Sequence, residues 1–363
     1  MKQNNLFTAL LCLFLLTSLS VTAQLQTPQA SSKATVIQRV GVTDVSVTYS
    51  RPSVNNREIW GNLVPYGMNN LGFGTATAAP WRAGANENTT ITFSSDAQVE
   101  GKPIKAGTYA LFFEVKPNNE ATLILSHDTQ AWGSFFYDKS RDALRADITT
   151  KQAPHHELLT FAFNTVSTSN AVLSLIWGEK EFPINISVNT TKVVLDDFRD
   201  KTKGQFGFNR QNWEQAAAFA LNNGGDLNEA LTWIDGAIAG NFYSQKNFNN
   251  LAIKGQILSK LGRTDEYAAL MDEAAAMANK QQLNALGYQM VAAKDYDRAE
   301  KYFKQNIANH PDDPNGYDSL GEYYKTVGNK KNAIKYFKKS LSMNPPANVK
   351  ANSERHLKEL GAL

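Results

Sequence analysis

Arginines, a glutamate, an asparagine and several tryptophans crowd one glycine- and proline-rich stretch of this 363-residue chain. Tyr49-Ser50-Arg51-Pro52 is followed by Arg57 and Trp60-Gly61, then by Trp81-Arg82-Ala83-Gly84-Ala85-Asn86-Glu87, with Trp132-Gly133 further on. Arg51 and Arg82 would form a planar fork of donors for a carboxylate or phosphate. Trp60, Trp81 or Trp132 would offer a flat face to a sugar or aromatic ring. Asn86 adds hydrogen-bonding capacity and Glu87 could serve as a base. The competing reading is an internal ion pair, Arg82–Glu87 or Arg51–Glu87, pinning a long loop whose tryptophans belong to the core. Both readings place Arg51, Arg82 and Glu87 close together.

Other chemistry is harder to find. There is no G-x-S-x-G elbow and no G-x-x-x-x-G-K-[ST] loop, and Gly72-Phe73-Gly74 lacks the third glycine of a dinucleotide fingerprint. His156-Glu157 opens like a zinc-protease helix, but Thr160 stands where the second histidine should be. His155 and His156 are adjacent and would point to opposite faces of an extended chain. His127, beside Asp128, reads as a turn residue. The only cysteine, Cys12, lies in the leading segment, so no disulfide or cysteine-based metal site is expected in the mature protein, and no cofactor is expected.

Those side chains need elements to position them. The length favours two domains. A formal charge of +3, with 42% hydrophobic and 20% charged residues, describes a globular protein and gives no footprint for nucleic acid. Residues 315–363 are locally basic, nine Lys or Arg against four Asp or Glu, which reads as a solvated helical face. Lys2, the apolar run Leu6 to Leu19 and Val21-Thr22-Ala23 before Gln24 read as a signal peptide over residues 1–23, so the product is expected to be periplasmic or secreted, or peripheral to the envelope, with no transmembrane segment in the mature chain.

From Lys33 to Val188 the pattern has period two. Val45, Val47 and Tyr49 share a strand face, as do Ile91 with Phe93, and Tyr109, Leu111, Phe113 and Val115. Glu100-Gly101-Lys102 and Lys116-Pro117-Asn118-Asn119 are turn chemistry. Further strands are expected near 121–126, 158–163, 171–177 and 181–188. About eight to ten short strands suggest an all-β antiparallel sandwich or barrel over residues 28–188. Between Ser50 and Thr89 the alternation fails, and a long ordered loop is expected there. Residues 189–210 are polar and read as a linker.

The C-terminal half repeats itself. Residues 280–313 and 314–347 align without a gap at a period of about 34 residues. Gly287 falls on Gly321, Met290 on Tyr324, Ala299 on Ala333, Phe303 on Phe337 and Pro311 on Pro345. This pattern resembles the tetratricopeptide repeat. Degenerate copies precede it around Gly224-Gly225 and Gly262, giving four helix pairs over 211–347 and a capping helix over 348–363, an all-α solenoid. Such a resemblance implies a protein or peptide partner.

The N-terminal motifs also carry a resemblance. Tyr49-Ser50-Arg51-Pro52, Leu63-Val64-Pro65-Tyr66-Gly67, Trp81 to Glu87, Gly101-Lys102, Ala106-Gly107-Thr108-Tyr109 and Trp132-Gly133 are similar to the bacterial family called domain of unknown function 2911, over roughly residues 28–188. Met68 to Pro80 departs from the more compact spacing of that family. The resemblance names the domain and implies no activity. The reading reached is an exported non-enzymatic interaction protein. Its alternatives are an envelope hydrolase or lyase using Glu87 with Arg82 or Arg51, and a module binding an envelope glycan or peptide through the tryptophans.

Overall fold

The structure, a computed structural model, describes residues 27–363, and the proposed signal peptide lies outside the described residues. The described chain forms two compact units that divide between Thr190 and Thr191.

The first unit is all antiparallel strand. β1 (Ser32–Val40), β2 (Thr43–Arg51), β3 (Thr90–Phe93), β6 (Gly107–Val115), β7 (Glu120–Ser126) and β8 (Asp142–Thr149) make a six-stranded sheet in the order β1-β2-β3-β6-β7-β8. β4 (Ala97–Val99), β5 (Lys102–Ile104), β9 (Lys151–Val166) and β10 (Asn170–Ser187) make a four-stranded sheet in the order β5-β4-β10-β9. The inward alternate residues of both sheets share one core: Val45, Val47, Ile91, Leu111, Phe113, Leu123 and Leu125 from one, Leu173, Leu175, Phe182 and Ile184 from the other. This is a sandwich, the pattern two faces of period two impose when each buries its apolar side.

Two strands expected over 171–177 and 181–188 are one continuous strand, β10. Its inward set runs Leu173, Leu175, Trp177 and then Phe182, Ile184, Ile186, so the parity changes once. Gly178 makes the change: it sits at φ +58° between two register shifts against β9. A bulge of this kind slips the strand by one residue and turns every later side chain to the other face.

The second unit is helical. Ten helices follow among the described residues: α1 (Thr190–Lys201), α2 (Arg210–Asn223), α3 (Leu227–Ile238), α4 (Phe248–Lys260), α5 (Thr264–Met277), α6 (Lys280–Ala292), α7 (Tyr296–Asn309), α8 (Pro314–Thr326), α9 (Lys330–Leu341) and α10 (Ala347–Glu359). The pairs α2/α3 to α8/α9 and the closing α10 form the expected solenoid. In each clear repeat a glycine of the first helix lets an aromatic of the second approach. A Cβ on Gly287 would lie 2.6 Å from the Phe303 ring, and one on Gly321 would lie 2.8 Å from the Phe337 ring. Ala299, Ala333, Phe303 and Phe337 are fully buried, while Pro311 and Pro345 fall in the turns after α7 and α9. Gly255 and Met271 repeat the arrangement in the degenerate pair α4/α5.

The segment 189–210, expected as a polar linker, is corrected by α1. Its charges face outward, but Leu195 and Phe198 are buried in the same core as Ala217, Leu221 and Trp233. Phe198 meets Trp213 edge-on at 5.3 Å and Trp233 at 4.9 Å, and Arg199 forks onto both carboxylate oxygens of Glu229. Two apolar residues a helical turn apart are enough to dock a short helix whose composition is otherwise polar.

Candidate functional site

The loop between β2 and β3 is held by single backbone bridges. Ser53 pairs with Leu158, Asn69 with Ala79 and Trp81 with Phe113. The last matters most, because Trp81 N–H donates to Phe113 O at 2.8 Å and Phe113 N–H to Trp81 O at 2.9 Å. That bridge fixes Trp81 against β6, where its indole stacks on Trp177 at 6.0 Å and meets Trp60 edge-on at 5.5 Å. Phe182 and Phe113 complete the aromatic floor.

Beyond Trp81 the backbone turns back sharply. Ala83 and Asn86 both adopt positive φ, 54° and 59°, a conformation that L-residues hold only where surrounding contacts impose it. Thr89 Oγ1 donates to Ala83 O at 3.0 Å, and Asn86 Nδ2 to Ser31 O at 3.1 Å. Arg82 Nη1 donates to Asn86 O at 2.8 Å, closing the turn on itself.

A second loop, between β7 and β8, covers the arginine. Tyr137 anchors it: the phenol donates to Asp142 Oδ2 at 2.7 Å and accepts from Arg145 at 3.0 Å, and its ring packs on Phe112. The loop brings Phe135 under Arg82, with the guanidinium 5.3 Å from the ring centroid. It also brings Gly133, at φ +63°, so close that a Cβ there would lie 2.5 Å from Arg82 Nη1. A side chain there would be strained at this φ and would push the Arg82 guanidinium aside.

Together these loops border an open cleft of about 540 Å³, lined by Ser31, Pro52, Ser53, Asn55, Arg57, Leu63, Val64, Trp81, Arg82, Gly84, Asn86, Trp132 and Trp177 among others. Among the described residues no aspartate, glutamate or histidine lines it. Arg57 gives Nε to Val54 O at 3.0 Å and Nη2 to Ser53 O. Both lining arginines are therefore held by neutral carbonyls. Burial pulls the Arg82 pKa below its ordinary value, with no carboxylate to oppose it. A paired cation would be held up, as Arg199 is by Glu229.

The structure brings Trp81, Arg82, Asn86 and Trp132 together and leaves Arg51 and Glu87 out. Arg51 gives Nε to Leu159 O at 2.9 Å and Nη2 to Thr160 Oγ1 at 2.7 Å, fastening the end of β2 to β9. Glu87 is exposed and makes no ion pair with either arginine. The expected Arg82–Glu87 or Arg51–Glu87 pair is thus corrected, and so is the placing of a glutamate base in the site. Glu87→Ala is accordingly expected to shift the denaturant midpoint by no more than about 0.5 kcal/mol equivalent, as for an exposed residue without partners. A loss above ~2 kcal/mol would restore the ion pair. Arg57 stood in the same stretch but its role was not singled out, and Trp177 was read only as a strand position.

The helical unit carries a different arrangement. Residues at matching places on α6, α8 and α10 face one another in rows. Tyr288 donates to Glu322 at 2.6 Å, and Glu322 also meets His356 at 3.2 Å. Asn352 donates to Asp318 at 2.7 Å and to Glu322 at 2.6 Å. A smaller cavity of about 330 Å³ opens beside Glu322, Lys325, Arg355 and His356. Glu359 of α10 is drawn down to about 2 by its hydrogen bond from Lys325 of α8, with His356 and Arg355 adding to it. Because the folded carboxylate has the lower pKa, this bond stabilises the docked α10 above the ordinary carboxylate range and is lost as pH falls from about 4.5 toward 2. Acid titration of the helical circular dichroism should show a loss across that window which Glu359→Gln reduces, the other lowered carboxylates such as Glu300 and Asp272 supplying the rest. An unchanged acid limb in the variant would contradict the role of Glu359.

Among the described residues no group of His, Cys, Asp and Glu is placed to hold a metal ion, and no helix is long and apolar enough to cross a membrane. Residues 31–186 match the model of a family described as protein of unknown function, DUF2911, and residues 314–346 match a tetratricopeptide repeat. The resemblances carried by the motifs hold over these spans. No curated protein matches the chain. Among solved structures, a crystal structure of MamA is 17% identical over 43% of this chain and 89% of its own, with a TM-score of 0.32. A tetratricopeptide repeat protein from Parabacteroides merdae is 16% identical over 48% of this chain and 65% of its own, at 0.33. MamA from Desulfovibrio magneticus, residue 41 to its end, is 16% identical over 43% and 86%, at 0.31.

Proposed function

We propose that the chain is an exported, non-enzymatic binding protein with two working surfaces. The tetratricopeptide helices hold a protein or peptide partner, since repeats of this kind stack into an extended surface built from successive first helices. The β unit receives a small anionic ligand in the cavity beneath its two loops, an envelope glycan or peptide being the class of ligand available to an exported protein. Export rests on Lys2, the Leu6–Leu19 run and the small residues before Gln24.

One observation carries the ligand reading: Arg57 and Arg82 line a tryptophan-walled cavity to which no carboxylate contributes. Arg82 is half-buried, where an arginine is ordinarily paired, and Arg57 stands exposed at the mouth. These two are held in place by carbonyls, which fix their orientation and leave their charge uncompensated. The volume lies within the range of small-molecule sites. A hydrolase or lyase would need an acid or base in the cavity, and Glu87 does not line it.

The test is direct, because Trp81, Trp132 and Trp177 line the cavity and report on its contents. Titration of the full chain with small carboxylates and phosphates should change tryptophan fluorescence saturably, and the apparent affinity should weaken with added salt. Neutral analogues should give no such change. Indifference to every anion tried would overturn the reading.

A further inference from the structure

We infer that the ligand of the β-unit cavity is an acidic saccharide, its ring laid on Trp132 and its carboxylate held by Arg82. This rests on the anion-binding reading of the cavity and narrows it. Three observations on the page do the narrowing.

The first is the hydrogen bonding of Arg82. Its Nη1 is spent on Asn86 O, while among the described residues no acceptor meets Nε or Nη2. These two N–H groups lie on one side of the guanidinium and form the parallel pair that a carboxylate accepts bidentately. Gly133 and Phe135 hold the plane of the guanidinium in place, so that pair is presented in a fixed direction.

The second is Trp132. The other lining tryptophans, Trp81 and Trp177, are stacked on each other within the core. Trp132 is 55% exposed and makes no ring contact with another aromatic side chain among the described residues. A large apolar side chain left on a rim beside a cation offers one flat face to a ligand. The C–H face of a sugar ring fits such a surface.

The third is the character of the remaining wall. Ser53 and Asn55 line the cavity, and neither side chain has a hydrogen-bond partner among the described residues. Small polar groups that both donate and accept suit hydroxyls better than an apolar side chain. A phosphate ion alone would leave most of the 540 Å³ unused and touch neither Trp132 nor these groups.

The experiment titrates the full chain with four probes: a uronic-acid disaccharide, its neutral counterpart, an aromatic N-acyl dipeptide with a free carboxylate, and inorganic phosphate. Expected is saturable binding of the acidic disaccharide, at least about tenfold tighter than its neutral counterpart, a ratio one bidentate charged contact supplies, and tighter than the dipeptide or phosphate, which share the charge but bring no sugar face to Trp132. Trp132→Ala should cost about tenfold for the disaccharide, and Arg82→Leu should erase the difference between acidic and neutral sugar. Should the dipeptide or phosphate bind as well as the disaccharide, or better, the saccharide inference fails while the anion site stands. Should no anion bind, both fall.

Discussion

Phe337→Ala is expected to cost about 3–5 kcal/mol and to unravel the end of the solenoid first. The Phe337 ring is fully buried, packs into the space that Gly321 leaves, and carries the His356 ring stacked on it at 5.1 Å. It therefore ties α9 to α8 on one side and to α10 on the other. Truncation leaves a cavity that glycine on the facing helix cannot refill, and it removes the support of His356, whose imidazole meets Glu322 and Glu359. Repeat arrays are stabilised by nearest neighbours, so the loss should appear as an early partial fall in helical circular dichroism. Phe337→Leu, which keeps most of the volume, should cost under about 1.5 kcal/mol. A shift below ~1 kcal/mol for Phe337→Ala would mean that the last repeat is not held by this contact.

Arg82→Leu is expected to behave in the opposite manner, with a large effect on binding and a small one on stability. Arg82 touches Asn86 O, the Phe135 ring and the backbone of Gly133. Its removal strands no buried carboxylate, because none faces it, and leucine keeps the apolar contact with Phe135. The midpoint of the β unit should move by less than about 1 kcal/mol, the net worth of one hydrogen bond. Affinity for an anionic ligand should fall about 10- to 100-fold, as expected for the loss of a charge-assisted pair of hydrogen bonds. A stability loss of ~3 kcal/mol with unchanged binding would make Arg82 a structural residue and remove the reason for a site.

Periodicity made much of this fold legible before any coordinates. The alternation at Val45, Val47 and Tyr49 and the copied Gly, Ala, Phe and Pro of the last two repeats are geometric signals, because a strand or helix face must bury residues at a fixed interval. The candidate site was legible in part. Trp81, Arg82 and Asn86 share one turn of chain, and Trp132 reaches them from the loop after β7. The directions of Arg51 and Glu87 were not legible. The backbone reverses at Ala83 and Asn86 through positive φ, and irregular backbone has no period from which a side chain's direction follows. Trp177 is in phase with Leu173 and Leu175, so its inward direction follows from the strand pattern; that it runs beneath the Trp81 turn is a tertiary contact no local period encodes. Composition misled at residues 189–210, where Leu195 and Phe198 outweigh the charges around them.

The Gly133 contact also explains how two loops distant in sequence act on one side chain. Tyr137, Asp142 and Arg145 fix the second loop on the outer face of the six-stranded sheet, and Arg145 extends the tie to Glu114 at 2.9 Å. Rigid support of this kind is what holds a ligand contact in place without a ligand. Charge left uncompensated inside such a frame is the feature from which the binding reading grows.

The most direct measurement is calorimetric titration of one small anion, a uronic-acid disaccharide, into the wild-type chain and into Arg82→Leu at low and high salt. Saturable one-site binding to the wild type, weakened by salt and lost or reduced at least about tenfold in the variant, is the predicted result. Equal binding by both proteins, or none by the wild type to this or any other anion, would contradict a site built around Arg82.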